Sequence, residues 1–148
     1  MKITSQIMKP SDLAQEGVMD FLLTAFRTVT MSNPIGIASS FISQLRAEKA
    51  YIVMGFEDGV PTAVVVAGVY EPGWEPPSAN VLLVENHGRP ETLQSVLTTL
   101  AGRLKQRGIE VVFARNILMH REKAVQRRYR SFGDVRPVGT LYQLDLRS

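Results

Sequence analysis

The chain has 148 residues, 45% of them hydrophobic and 21% charged, which is the usage of a globular domain with a core and excludes a disordered or fibrous chain. It has no cysteine, which excludes disulfides, thiolate nucleophiles and cysteine-ligated zinc, and no apolar run approaches the roughly 20 residues of a membrane span. We therefore expect a single cytoplasmic domain over residues 1–148, without a membrane segment.

The net charge of +3 hides an asymmetry along the chain. Residues 101–148 carry eleven Lys and Arg against four Asp and Glu, whereas residues 1–100 carry six against ten. A basic half of this kind can face an anionic cofactor, a nucleic acid or an acidic protein. It can equally be an ordinary solvated helix surface, and the sequence leaves these alternatives open.

The first fifty residues predict one strand and two helices. Residues 2–8 alternate apolar and polar side chains, as a half-buried strand does. The helix predicted over Leu13–Val29 is apolar on more than one face, so we expect it to be buried on most sides or to pack against a partner chain. Helical spacing returns over Ile37–Arg46.

A β-hairpin and a proline-rich loop follow. Two apolar runs, Tyr51–Glu57 and Val60–Tyr70, flank Asp58-Gly59, which is the strongest short-range hairpin signal in the chain. The loop over Glu71–Ser78 contains three prolines and the only tryptophan, Trp74. We expect Trp74 to cover the core, because large aromatic side chains are usually buried, and a place in a binding cleft is the alternative.

The centre of the chain predicts a strand, a crossover helix and a parallel strand. The strands are Ala79–Glu85 and Glu110–Arg115, and a helix over Glu91–Arg107 joins them. This helix has one apolar stripe at the spacing of a face that packs on a sheet, formed by Leu93, Val96, Leu97, Leu100 and Leu104. The remaining elements are a short basic helix and two strands, expected over Glu122–Phe132, Val135–Val138 and Thr140–Leu146.

The predicted order is β-α-α-β-β-β-α-β-α-β-β, an α/β (α+β) arrangement with a mixed central sheet of about seven strands and about four helices. Three segments stand out in this order, namely Glu57-Asp-Gly59, Gln106-Arg-Gly-Ile109 and Arg128-Tyr-Arg-Ser-Phe-Gly133. With this order and these segments the chain resembles the GCN5-related N-acetyltransferases (GNAT family) over essentially its whole length. The third segment is similar to the family's Leu-Tyr-x-x-x-Gly-Phe.

The resemblance implies a V-shaped opening between the two parallel strands, in which family members hold acetyl-coenzyme A. The pantetheine arm would pair with the backbone of the first parallel strand, at Leu83 and Val84. The pyrophosphate would lie on the amides that open the long helix, near Gly88, Arg89 and Glu91. Basic side chains that would help to hold the phosphates are Arg89, Arg127, Arg128 and Arg130.

The resemblance also implies two catalytic candidates. Tyr129 matches the family's tyrosine, which can protonate the departing thiolate, whereas its spacing from Val125 and Phe132 alone indicates a core-edge aromatic. A base must take a proton from the substrate ammonium. Glu85, at the end of the strand beside the opening, is the best-placed carboxylate, and His87 is the second choice.

The start of the long helix departs from the family's pyrophosphate loop, Arg/Gln-x-x-Gly-x-Gly/Ala, whose glycines let the backbone approach the phosphates. The stretch Gly88-Arg-Pro-Glu-Thr-Leu93 has one glycine, a proline without an amide and, at Glu91, a carboxylate where a phosphate would bind. The family's asparagine before the last helix falls on Glu122, so we take Asn116 as its substitute.

The sequence therefore predicts an acyl-coenzyme A dependent N-acyltransferase with a small-molecule or protein amine as acceptor. The alternative is a GNAT-fold protein without catalysis, such as a phage virion component or a regulator, whose apolar first helix forms a homo-oligomer. Nucleic-acid binding by the basic half is a third hypothesis, which we do not favour. No metal site is expected, since the two histidines, His87 and His120, show no ligand spacing.

Overall fold

The computed structural model describes residues 1–29, 40, 42–114 and 122–133 of the chain. The strands are β1 (Ile3–Ile7), β2 (Ala50–Glu57), β3 (Val60–Tyr70), β4 (Ser78–Asn86) and β5 (Val111–Ala114). The helices are α1 (Val18–Val29), α2 (Pro90–Gln106) and α3 (Glu122–Arg128), with 3-10 helices at Pro10–Ala14 and Arg130–Phe132 and helical residues at 42–46. In the described part of the chain, every helix is too short or too polar to cross a membrane.

The five strands form one mixed sheet in the order β1-β2-β3-β4-β5. Neighbours from β1 to β4 are antiparallel, whereas β4 and β5 are parallel because α2 carries the chain back between them. The β2–β3 turn is formed by Asp58 and Gly59, whose φ angles of 49° and 83° are both positive. This is the geometry of a tight hairpin turn, so the predicted hairpin is confirmed.

Each face of the sheet is covered by one helix and an apolar cluster. The cluster under α1, which we call the α1 cluster, includes Val18, Leu22, Ile52, Met54, Val66 and Leu83. The cluster under α2, which we call the α2 cluster, includes Val53, Val65, Val81, Tyr129 and the whole predicted stripe of α2. Fully burying one leucine side chain stabilises the fold by about 1.5–3 kcal/mol, so the stripe holds α2 firmly against the sheet.

A glycine in β2 sets how closely α2 approaches the sheet. A Cβ atom on Gly55 would lie 2.7 Å from Cγ2 of Val96 and 2.8 Å from Cγ2 of Thr92. Real Cβ atoms rarely come so close to another carbon, and only glycine accommodates this crossing without displacement. Since Thr92 lies in the first turn of α2, Gly55 fixes the position of the helix start beside the end of β4.

The other end of α2 is clamped by an aromatic ring between two arginines. Arg103 and Arg107 each place a guanidinium carbon 5.9 Å from the ring centre of Tyr51. Arg107 also donates a 3.0 Å hydrogen bond to the Tyr51 hydroxyl and pairs with Glu71 at 2.7 Å. Arg103 pairs with Glu48 at the surface. These contacts tie the last turn of α2 to β2 and to the loop after β3.

Three predictions about elements need correction or lie outside the description. The described sheet has five strands rather than about seven, and the two strands predicted over 135–138 and 140–146 fall on residues outside the described ranges. The first helix does not run from Leu13, because a 3-10 turn and Gly17, with a φ of 78°, precede α1. The prediction that Trp74 covers the core is wrong, since its side chain is 79% exposed.

The expected extra apolar face of α1 is largely used within the chain. Val18, Leu22, Ala25 and Phe26 are buried, and the half-buried apolar residues of α1 pack against the same cluster. Side chains of the helix that are described as exposed are polar, namely Asp20, Thr24 and Arg27. The homo-oligomer stays a prediction. The apolar side chains that the described part of α1 could offer to a second copy are its half-buried ones.

Candidate functional site

The strand β4 contains a β-bulge directly after Val81, the last of its residues with a described partner in β5. On β3, Val66 pairs with Leu83 and Ala67 with Val81, so Leu82 is an extra residue that pairs with neither. In the described residues, the parallel pairing with β5 runs as far as Val81, opposite Ala114, which is the last described residue of β5. Within the described residues, the segment Leu82–Val84, which we call the open edge of β4, therefore has no strand on its β5 side.

The open edge offers backbone groups rather than side chains. Leu83 is buried in the α1 cluster, and Val84 is half-buried against the α2 cluster. Leu82, the bulged residue, is 52% exposed. A strand edge of this kind presents N–H and C=O groups to which an extended ligand can pair as another strand would.

Glu85 and His87, both predicted as catalytic candidates, lie together at the end of β4. Oε1 of Glu85 is 2.8 Å from Nε2 of His87, within hydrogen-bond and ion-pair distance. The ring of Phe21 from α1 meets the His87 ring edge-on, with centroids 5.5 Å apart. Glu85 pairs across the sheet with Val64 of the α1 cluster, so this pair lies on the α1 face. A carboxylate that holds an imidazole can accept a proton and pass it towards solvent.

Two backbone amides of the turn between β4 and α2, those of His87 and Gly88, already have acceptors. The amide of Gly88 donates to Oδ1 of Asn86 at 3.0 Å, and Nδ2 of Asn86 donates to the carbonyl of Arg89 at 3.3 Å. The amide of His87 donates to the carbonyl of Thr62 at 2.7 Å. The Asn86 side chain therefore occupies an amide that a phosphate oxygen would otherwise accept from.

A carboxylate also lies behind this turn. A Cβ atom on Gly88 would overlap Oε2 of Glu57 and approach Oγ1 of Thr62, so the glycine packs directly on the end of β2. On the solvent side, Glu91 is exposed in the first turn of α2. An acidic side chain here stabilises the helix by about 0.3–1 kcal/mol through the helix dipole, and it repels an anionic ligand from the same place.

These observations allow the fit of coenzyme A to be tested in two parts. The open edge of β4 fits a pantetheine arm, because that arm is extended and carries amides. The turn does not fit the pyrophosphate well, since only the amides of Arg89 and Glu91 at the helix start have no acceptor within the described residues. The exposed Arg89, which is the N-cap residue of α2, is the one lysine or arginine in the turn itself.

Tyr129 lies between α3 and the last 3-10 helix and is buried in the α2 cluster. Its ring meets that of Phe132 edge-on, with centroids 5.8 Å apart. Burial raises the pKa of the Tyr129 phenol above its ordinary value of 10.0, against the opposing effect of Arg128. The phenol therefore keeps its proton at neutral pH. Within the described residues, no hydrogen bond or ring contact joins it to Glu85 or His87.

The structure brings together only part of the predicted site. Leu83, Val84, Glu85 and the turn residues Gly88, Arg89 and Glu91 lie in one continuous stretch, whereas Asn116 falls outside the described residues. Sequence reasoning missed the bulge at Leu82, the carboxylate of Glu57 and the role of Asn86. An asparagine two residues before a glycine in a turn is a recognisable signal for the last of these.

Solved structures provide a comparison for this architecture. An aminoglycoside acetyltransferase from an uncultured soil metagenomic sample is similar over 99% of both chains, with a TM-score of 0.73 and 18% identity. Glucosamine-6-phosphate N-acetyltransferase from Arabidopsis thaliana is similar over 98% of this chain and 100% of its own, with a TM-score of 0.68 and 15% identity. A GCN5-related N-acetyltransferase from Ralstonia eutropha JMP134 covers 97% and 99%, with a TM-score of 0.62 and 15% identity.

No protein-family model and no curated protein sequence matches the chain. The similarity is therefore one of fold, since the sequence identities are below 20%. A fold can be kept at such identities because a core tolerates many substitutions that keep its volume and apolar pattern. The bulged β4 beside a parallel β5, with a helix between them, defines the class of architecture. The chain has the fold of the GCN5-related N-acetyltransferases, and the resemblance predicted from the sequence is confirmed at that level.

Proposed function

We propose that this protein is an N-acyltransferase that moves an acyl group from acyl-coenzyme A to an amine. The observation that carries the proposal is the open edge of β4, which leads directly into the Glu85–His87 pair. When bound, the thioester supplies an activated acyl group. Its pantetheine arm would pair with the backbone at Leu83 and Val84, which would set the acyl carbon near the end of the strand.

Glu85 is the proposed base. It takes a proton from the acceptor ammonium, so that the amine nitrogen can form a C–N bond to the acyl carbon while the C–S bond breaks. His87, 2.8 Å away and half exposed, passes that proton towards solvent. The reaction exchanges one C–S bond for one C–N bond and releases a single proton overall.

Tyr129 is the proposed proton donor to the departing sulfur. The phenol is protonated at neutral pH, as a donor must be, because burial raises the pKa of Tyr129 from its ordinary value of 10.0. The nitrogen loses its second proton as the amide forms, and this proton restores the phenol. The assignment rests on the match to the family's tyrosine segment, and Asn116 and the turn residues Gly88, Arg89 and Glu91 remain proposed contacts of the donor.

The proposed acceptor is a small molecule with a primary amine. Two of the structurally similar proteins are named for an aminoglycoside and for glucosamine-6-phosphate, which are amines of this kind. The half-buried Phe21 contacts His87 of the Glu85–His87 pair, so an apolar group beside the amine would also be accommodated.

A thiol-release assay tests the proposal with acetyl-coenzyme A and a panel of primary amines, including an aminoglycoside and glucosamine-6-phosphate. Turnover that falls in Glu85→Gln but not in Glu16→Gln supports it, since Glu16 is an exposed carboxylate outside the site. Absence of turnover, together with no heat in isothermal titration of acetyl-coenzyme A or acetyl-pantetheine, would refute it.

The self-satisfied turn and its two carboxylates favour a second candidate, a protein of this fold that no longer catalyses transfer. Such a protein would act through binding, as a structural component or a regulator. The titration separates the two, because the open edge of β4 would then show no affinity for acetyl-pantetheine. Micromolar binding of acetyl-pantetheine, about −8 kcal/mol, would show that the open edge of β4 binds the donor and would exclude the non-catalytic candidate.

A further inference from the structure

The two halves of a coenzyme A thioester meet unlike surroundings in this site. The pantetheine half would meet the open edge of β4, whereas the pyrophosphate half would lie on a turn that is backed by Glu57, flanked by Glu91 and has one amide already bonded to Asn86. Pro90 contributes no amide at all. The site is therefore better suited to an acylated phosphopantetheine arm than to the nucleotide that coenzyme A adds to it.

A basic surface lies beside this site on α3. It is formed by Lys123, Arg127, Arg128 and Arg130, all exposed, and we call it the α3 basic surface. Lys123, Arg127 and Arg130 line an open concavity of about 600 Å³. None of these three side chains pairs with a carboxylate within the described residues. Lys123 and Arg127 are four residues apart and so lie on one side of α3, about 6 Å apart along its axis. Arg130 follows in the 3-10 helix and lines the same concavity.

The α3 basic surface is joined to α2 near the helix start. Nε2 of Gln94, in the second turn of α2, donates to the carbonyl of Arg128 at 3.2 Å. Further along, Nζ of Lys105 donates to the carbonyl of Ser131 at 3.3 Å. The end of α3 therefore lies close to the place where β4 passes into α2, so a molecule bound there could reach the open edge with an extended arm.

The described part of this surface lacks the exposed rings of a site for single-stranded nucleic acid. Sequence-tolerant binding of single strands needs exposed aromatic rings on which bases stack. The two rings of this segment, Tyr129 and Phe132, meet edge-on and pack in the α2 cluster, one buried and one half-buried. Positive charge spread over a helix without such rings is complementary to an acidic helix of a protein.

We propose that the α3 basic surface docks an acidic carrier protein that presents the acyl group on a phosphopantetheine arm, and that this carrier is the preferred donor. The inference rests on the proposed acyl transfer and names its donor. The carrier's single phosphodiester would stay at the basic surface, and the arm would lie along the open edge of β4. No pyrophosphate has to occupy the turn, which accounts for Asn86, Glu57 and Glu91 together.

The test measures kcat/KM with three donors and one amine. The donors are acetyl-coenzyme A, S-acetyl-4′-phosphopantetheine and an acidic acyl carrier protein of fatty-acid synthesis loaded with acetyl-phosphopantetheine. We expect acetyl-phosphopantetheine to match acetyl-coenzyme A within about threefold, because the nucleotide gains little in this turn. We expect the carrier to exceed both by roughly tenfold at low salt and to lose this advantage at about 0.5 M salt.

The matched variants are Arg127→Glu/Arg130→Glu and, as control, Arg46→Glu/Lys49→Glu. The control reverses two exposed cations at the other end of the sheet, where β2 begins. We expect the ratio of kcat/KM for the carrier to that for acetyl-phosphopantetheine to fall roughly tenfold in the first pair and to stay constant in the second.

The outcomes separate the competing explanations. In one outcome, kcat/KM is more than tenfold higher with acetyl-coenzyme A than with acetyl-phosphopantetheine, and Arg127→Glu/Arg130→Glu removes this difference. That outcome would show that the α3 basic surface binds the coenzyme nucleotide, and it would overturn the inference. Equal use of all donors, or tighter binding of a short DNA or RNA duplex than of the carrier, would overturn it as well. No turnover with any donor would remove the proposed function itself.

Discussion

The substitution Gly55→Ala tests how tightly α2 is seated on the sheet. Its new Cβ would lie 2.7 Å from Val96, 2.8 Å from Thr92 and 3.3 Å from Cβ of Ala63, whereas carbon atoms in ordinary contact are about 3.5–4.0 Å apart. Both close methyl groups sit one bond from a helix Cβ, so they cannot move away unless α2 moves or a rotamer becomes strained. We expect a loss of about 1–3 kcal/mol in the free energy of unfolding.

Urea and thermal unfolding measure this loss, which corresponds to a lowering of Tm by roughly 3–10 °C for a chain of this size. Gly102→Ala is the matched control, because Gly102 lies inside α2 with no atom within 4 Å of its would-be Cβ. The control should stabilise the protein by about 1 kcal/mol through helix propensity. Removing the Val96 methyls should reduce the effect of Gly55→Ala by about 0.5 kcal/mol or more. A Gly55→Ala protein as stable as the wild type would refute the close approach of α2 to β2.

Three further predictions concern single side chains. Glu85→Gln should lower kcat about 10²–10⁴-fold in the thiol-release assay with little change in Tm, and an undiminished kcat would exclude Glu85 as the base. Arg107→Ala should lower the free energy of unfolding in urea by about 1–2 kcal/mol, and Arg103→Ala, at the surface, by less than about 1, so a reversed order would contradict the clamp on α2. Because the pKa of Tyr129 is raised, its contribution to stability is complete below the unfolded value near 10.0 and is lost as pH rises through the folded value. Tyr129→Phe should therefore lose less stability than the wild type between about pH 9 and 11, and equal losses would contradict the raised pKa.

Local signals in the sequence were sufficient for the elements that depend on local physics. Asp58-Gly59 predicted its hairpin because both residues tolerate positive φ, and both adopt it. The stripe of α2 predicted a face on the sheet because helical periodicity records which side is buried, and every stripe residue is buried. Trp74 was predicted wrongly because the rule that aromatics are buried ignores the three prolines that hold its loop away from the core.

The candidate site was predictable in its position along the chain but not in its geometry. The bulge at Leu82 depends on the register in which β3 and β4 pair, and the sequence of β4 alone does not determine that register. The carboxylate of Glu57 reaches Gly88 across 31 positions of sequence, so only the folded chain brings them together. Asn116 and the two strands expected near the C-terminus fall outside the described residues.

The extra residue in β4, Leu82, also decides to which face of the sheet each later side chain of the strand points. Ala79 and Val81 point to the α2 side, and simple alternation would send Leu83 and Glu85 there too. Leu82 shifts the phase by one, so Leu83 turns to the α1 side and Glu85 follows it. If Leu82 were paired in regular alternation instead of bulged, the Glu85 carboxylate would lie beneath α2 and Val84 would turn to the α1 face. The bulge thus separates a Glu85 carboxylate that lies beside His87 from one that would be buried among the apolar side chains under α2.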